Sequence, residues 1–291
     1  IEFVDIAGLV KGASTGEGLG NQFLSHIKNV DAIAQVVRNF TDENVIHVGG
    51  KINPNDDRLV INTELALADL QVVEKRLSSL SKEMKGNPNK ELLLKETILK
   101  KIKGSLNEVK AVRNLGLDEE ELKHIKDLQL ITAKPMLYVY NLNEGADGKE
   151  WEGKEIDNCP VVTISAKLEA ELADLPPDEA NNMLHELGYQ KSGLDRLIVA
   201  SYKLLNLITF ITTGPMETKA WTVIKGAKAP QAAGVIHTDF EQGFIRAEVI
   251  SWKDLLEAGT EHLAKEKGLI RMEGKDYVMK DGDVAHFHFS E

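Results

Sequence analysis

A single cysteine stands in the 291-residue chain, Cys159, inside the apolar run CPVVTIS. Disulfides and cysteine-based metal centres are thereby excluded, redox chemistry drops out with them, and the setting of the thiol points to packing. No stretch approaches the ~18 consecutive apolar residues of a membrane-spanning helix, and no signal peptide opens the chain, so a cytoplasmic address is the expectation. Positive charge is short as well: 35 Lys and Arg against 46 Asp and Glu leave a formal charge of -11. That balance argues against non-specific nucleic-acid affinity over the whole surface and leaves a local basic patch open. A Walker-type phosphate loop, GxxxxGK[ST], is also missing. Gly8-Leu9-Val10-Lys11-Gly12-Ala13-Ser14 does not fit it, and Gly16, Gly18 and Gly20 miss GxGxxG by their last spacing. What is present, 42% hydrophobic and 28% charged residues, is the composition of a globular protein with ample core.

Four apolar stretches are expected as buried parallel strands: Ile1 to Ile6, Ala32 to Val37, Met136 to Tyr140 and Val161 to Ile164. Helical patterns follow at Gly20 to Asn29 and Gly193 to Leu205, an alternation that predicts an open α/β sheet with its ligand at the carboxyl ends of the strands. Between the second and third strands lies a helical insertion. Leu70, Val73, Leu77, Leu80 and Met84 step by three and four, GNPN breaks the pattern, and Leu94, Ile98, Ile102, Leu106 and Val109 resume it, as in an antiparallel hairpin. A third helix is expected after Asp118, with Glu121 completing a capping box. From about Leu207 the texture turns β-rich, with Asp281-Gly282 as a hairpin signal and Trp252 to Lys267 as its one helix-like piece. The polar loop Glu144 to Asn158 is the connection expected to move.

Three strand ends carry the candidate chemistry. Asp5 and Gly8 form DxxG, Asn141-Leu142-Asn143-Glu144 stands where a GTPase keeps NKxD, and Ser165-Ala166-Lys167 stands where it keeps SAK. Alone, DxxG is no more than a capping aspartate and a turn glycine. Three such boxes in order, each closing an apolar strand, point to a nucleoside-triphosphate site.

The runs FVDIAGLVKGASTGEGLGNQFL, NTELALADL, KAPQAAGVIHTDFEQGFIRAEVI and EGKDYVMKDGDVAHFHF resemble the YchF subfamily of Obg-related P-loop NTPases across essentially the whole chain. The resemblance implies a doubly wound α/β, GTPase-like core over 1–62 and 136–205, a coiled-coil insertion over 63–135, and a β-grasp TGS domain over 206–291. It further implies hydrolysis of ATP or GTP with Mg²⁺ in the cytoplasm, and association with ribosomes. In such a site Asp5 acts on Mg²⁺ through water, Gly8 senses the γ-phosphate, and the glycine run after it is a second switch loop. Family members begin with a Walker A segment. This chain opens on Ile1, so residues are expected ahead of it, and without that segment it is expected to bind nucleotide poorly.

Base choice follows from donors and acceptors. The NKxD aspartate accepts from two guanine donors that adenine does not present side by side, whereas here Leu142 replaces the lysine and Glu144 the aspartate with one methylene more. ATP is therefore expected over GTP, with Asn141 organising the loop, the Leu142 backbone meeting the adenine amine, and Ser165, Ala166 and Lys167 supporting the base. Ras-type enzymes orient the attacking water with a glutamine after DxxG, a task Leu9 cannot perform. His47, beside Gly49-Gly50, is the candidate in its place, against the plainer reading of an ordinary loop histidine; His26 is the weaker alternative. Leu9 also supports a rival reading, a ribosome- or RNA-binding module whose nucleotide site regulates docking with negligible turnover. His286 and His288 share a face at zinc-like i, i+2 spacing, though a solvent face opposite Phe287 and Phe289 explains them more simply. His237-Thr238-Asp239 lacks a nucleophile elbow and reads as a surface turn. Finally, residues 82–113 hold nine basic and four acidic side chains, a net +5 suited to rRNA phosphate or simply to a solvated coiled-coil face.

Overall fold

The computed structural model describes residues 1–6, 26–45, 52–86, 89–146, 148, 151, 153–214 and 217–290, in two compact units of residues 1–201 and 202–291. In the first unit β1 (Ile33–Asn39) is followed by the helices α1 (Pro54–Gly86), α2 (Lys90–Asn107) and α3 (Glu119–Ile125). The sheet resumes with β2 (Met136–Leu142), β3 (Glu155–Ile156) and β4 (Cys159–Ile164). Three more helices close the series: α4 (Ala166–Ala173), α5 (Pro177–Glu186) and α6 (Gly193–Leu204). Strand order is β1-β2-β4-β3, with β1, β2 and β4 parallel and β3 antiparallel to β4. Asp157 and Asn158, at φ 52° and 59°, make the tight turn between β3 and β4. All but one residue of β2 is buried, as a strand covered on both faces must be.

Three of the four expected strands form. Ile1–Ile6 does not: among the described residues it joins no ladder, and Ile1, Phe3 and Val4 are exposed. An apolar hexapeptide becomes a parallel strand only when a neighbour takes its hydrogen bonds and cover lies on its faces. Here only Ile6 finds apolar company, against Ile27, Leu65 and Ile131. Strand β1 is likewise half-covered, with Gln35 and Val37 buried and Val36 exposed to 65%. The expected helix Gly20 to Asn29 lies outside the described residues except for a helical turn at 26–28.

The insertion folds as a helical hairpin. Helix α1 spans 33 residues, about 50 Å at 1.5 Å per residue. Its seam of Val73 and Leu80, flanked by Leu70, Leu77 and Met84, packs on Ile98, Ile102 and Leu106 of α2. The second helix contributes Leu99 in place of Leu94 and Val109, which are both exposed; Val109 lies beyond the helix end with φ 57°. Asn89 caps α2 through Leu92 N–H, and the Asp118/Glu121 capping box opens α3 as its spacing predicts. Helix α1 begins at Pro54, because proline suits the first helical turn and Asp56 and Asp57 favour its positive end. Its first turns belong to the sheet: Asn62 donates to the Tyr138 hydroxyl at 2.9 Å, and Arg58 pairs with Asp157. Two turns beyond Asn62, the buried Asp69 carboxylate accepts from Ile131 N–H, Thr132 N–H and Thr132 Oγ1 at 2.9, 2.7 and 2.6 Å. Burial pushes its pKa up, against the pull of those bonds.

The second unit holds β5 (Leu207–Thr213), β6 (Thr218–Ile224), α7 (Ala229–Ile236), α8 (Thr238–Gln242), β7 (Phe244–Ser251), α9 (Trp252–Ala258), α10 (Glu261–Glu266), β8 (Arg271–Glu273) and β9 (Asp283–Phe289). Its sheet order is β6-β5-β9-β7-β8, mixed because β5 and β9 run parallel. Phe210, Val249, Phe287 and the alanines of α7 form its core. Two expectations need correction. The helix at 252–267, expected as the one helix of the segment, is two helices parted at Gly259 with φ 84°, and α7 and α8 precede it. Asp281-Gly282 is a turn but not a hairpin: β9 pairs with β7, while Met279 N–H goes to Ala227. Partners distant in sequence decide this, since Asp281 accepts from Thr209 N–H and Gly282 N–H donates to Thr209, both at 2.8 Å. At Gly282, with φ 81°, any side chain would strike Trp252.

Replacing Asp69 with alanine strands three buried donors, and urea unfolding should show a loss of about 3 kcal/mol. In the second unit the Tyr277 hydroxyl donates to Asp283 at 2.8 Å, and burial with that carboxylate pushes its pKa up to about 12. A phenol raised by folding is favoured in its neutral form, so its contribution is constant below pH 10 and is lost between there and about 12. Absorbance titration should show a late-ionising phenol that disappears in Tyr277→Phe.

Candidate functional site at the carboxyl edge of the sheet

Asn141 and Leu142 are the last residues of β2, and Ser165 follows β4 directly, so parallel pairing sets both boxes side by side. The Asn141 Oδ1 accepts from Ala166 N–H at 2.9 Å, which ties the end of β2 to the first turn of α4. Ser165 caps that helix, its Oγ accepting from Leu168 N–H at 3.4 Å. Lys167 Nζ lies 2.9 Å from Glu144 Oε2, and the carboxylate holds the ammonium pKa above its ordinary value. Leu142 points inward; Gly148, at φ 59°, passes so close to Leu142 Cδ1 and Thr163 Oγ1 that a Cβ there would sit 2.9 Å from each. Beside them is a cavity of about 20 Å³ lined by Leu142, Thr163, Ser165 and Glu169, room for one water.

Two groups that hold this edge escape a reading by motif. Asn143 bridges the loops after β1 and β2, accepting from Thr41 N–H at 3.1 Å and donating to Thr41 O at 3.3 Å. Glu169 accepts from Gly193 and Leu194 N–H at 2.7 and 3.2 Å, fastening α6 to α4. A partner 102 residues away leaves no local spacing to detect, although an asparagine at a strand end is a usable hint.

The remaining candidates do not join the cluster. Gly8, Leu9 and His47 lie outside the described residues, as does the glycine run. Asp5 is exposed, and its neighbour Ile6 packs against the cluster of Ile27, Leu65 and Ile131. Among the described residues no group of three His, Cys, Asp or Glu side chains is placed to hold a metal ion. His26 is exposed, His286 is exposed, and His288 bonds Glu248 at 3.0 Å with Lys265 on the other carboxylate oxygen. Phe287 is buried as expected, while Phe289 stacks on Phe240 at 3.8 Å. His237 caps the short α8, accepting from Asp239 N–H at 3.2 Å. Along the basic hairpin Lys95, Lys100, Lys101, Lys103 and Lys110 each pair with a carboxylate. Lys82, Lys85 and Lys90 around the hairpin tip have no ion-pair partner among the described residues. Among the described residues no helix is long and apolar enough to cross a membrane.

The YchF-GTPase_C family model, described as "Protein of unknown function (DUF933)", matches residues 207–290. Over 298 residues the chain is 50% identical to the ribosome-binding ATPase YchF of Bacillus subtilis, covering 99% of this chain and 81% of that protein. It is 49% identical over 296 residues to the protein of the same name from Escherichia coli O157:H7, covering 100% and 81%. The solved structure of the Schizosaccharomyces pombe YchF GTPase superposes with a TM-score of 0.82 at 39% identity, covering 97% of this chain and 78% of that one.

Asn141→Ala removes the acceptor that holds Ala166 N–H. Amide exchange at Ala166 should accelerate about tenfold, the loss of one hydrogen bond of about 1 to 1.5 kcal/mol. Exchange at the wild-type rate would mean that the tie between the two boxes is not made in solution.

Proposed function

Because the chain belongs to the YchF family, we propose that in the protein as encoded the carboxyl edge of the β1-β2-β4 sheet takes the base of a nucleoside triphosphate, ATP before GTP. Turnover then switches the helical hairpin and the C-terminal unit between ribosome-bound and free states in the cytoplasm. The observation that carries this reading is the Asn141 to Ala166 bond at 2.9 Å, which joins the two candidate base-reading segments across neighbouring strands. Asn141, Leu142 and Glu144 surround the base, and Ser165, Ala166 and Lys167 support it from the start of α4. Gly8 as γ-phosphate sensor and His47 as the group facing the attacking water complete the assignment. Mg²⁺ belongs to the reading through Asp5, whose carboxylate acts on it through water. Ribosome association draws support from the names of the relatives and from the unpaired lysines at the hairpin tip, where phosphate contacts gain most by counterion release.

Leu9 favours a second reading, a ribosome-docking module with negligible turnover, since an apolar side chain cannot orient water. Calorimetric titration of ATP and GTP with Mg²⁺ tests the first. The full-length protein should bind ATP at micromolar Kd with GTP weaker. Absence of binding of either nucleotide would overturn the nucleotide reading. Hydrolysis that stays low when ribosomes are added would favour the docking module.

A further inference from the structure

Each polar side chain among residues 141–144 has one oxygen already engaged. Asn141 Oδ1 is held by Ala166 N–H at 2.9 Å, Asn143 Oδ1 by Thr41 N–H at 3.1 Å, and Glu144 Oε2 by Lys167 Nζ at 2.9 Å. Lys167 is itself steadied from below, with Glu171 one turn along α4 at 3.9 Å. Guanine presents two adjacent donors, its ring N–H and its exocyclic amine, and a carboxylate meets them as a fork only if both oxygens are free to turn towards them. Adenine presents one acceptor and one donor on the corresponding edge and has no use for that fork.

We infer that Lys167 is a positioning residue for nucleotide selection: by holding one oxygen of Glu144 it withholds the two-oxygen fork from guanine and leaves adenine unaffected. This rests on the nucleotide-binding reading above and differs from the effect of the extra methylene in Glu144. Side-chain length would disfavour guanine whether or not a lysine were present. The pair is open to solvent, with Lys167 72% and Glu144 38% exposed, so its worth is bounded by that of a surface ion pair.

The test is the ratio of ATP to GTP affinity, measured by calorimetry on the protein as encoded and on three variants. Lys167→Met should shift the affinity ratio about three- to fivefold towards GTP, the reach of an exposed ion pair. Lys167→Arg restores the clamp and should keep the wild-type ratio. Adding Glu144→Gln to Lys167→Met should abolish the gain. A merely structural lysine would lower both affinities together, and that result, like an unchanged ratio in Lys167→Met, overturns the inference. Wild-type protein that binds neither nucleotide removes the underlying reading and this inference with it, an outcome recognisable before any variant is examined.

Discussion

The Asp69 carboxylate fixes the geometry of the first unit. A helix of 33 residues leaves the sheet and the chain must return to begin β2, with Ile131 and Thr132 buried on the way. Their amides lie in a short 3-10 turn and receive no helical partner, so a buried acceptor is required. Asp69 supplies both oxygens, and its desolvation is offset by three hydrogen bonds. Since Met136 follows four residues later, this clasp sets where β2 starts relative to α1. Seven paired residues then carry that position to Asn141 and Leu142 at the other end.

The hairpin was legible because one physical cause, burial of a single stripe, acts on residues three and four apart. Its register was less so: Leu99 rather than Leu94 enters the seam, because the stripe on α2 follows the contact made by α1 and not a fixed step. Capping at Asp118 was read correctly since all its partners lie within three residues. The opening hexapeptide and the Asp281-Gly282 turn were misread for the opposite reason. Both have strong local signals, and both depend on partners elsewhere in the chain: none of the described residues pairs with Ile1–Ile6, and Thr209 holds the turn.

At the candidate site the positions of Asn141 to Glu144 and Ser165 to Lys167 followed from pattern, because parallel strands end in register. Their engagements did not. A motif lists oxygens and nitrogens, but whether an oxygen remains available depends on which donor reaches it first, as Ala166 reaches Asn141 and Lys167 reaches Glu144. The charge of the hairpin makes the same point: +5 by composition, yet five of its nine cations are matched by carboxylates, three of them outside the counted stretch.

Asp157 joins these two halves of the unit. Its carboxylate receives Arg58 from the first turns of α1, its carbonyl receives Asn114 Nδ2 at 3.0 Å from the returning chain, and its own backbone is held left-handed by the turn at φ 52°. Both roots of the hairpin are therefore pinned to one residue in the turn between β3 and β4, beyond the connection that leaves β2 after Leu142. Along that connection Trp151 stacks on Tyr140 at 4.3 Å, two residues before Leu142. A close-packed interior transmits displacement instead of absorbing it. The strand end that carries the candidate base contacts and the helices that leave the sheet thus share one set of anchors, through side chains whose spacing in sequence conceals that they meet.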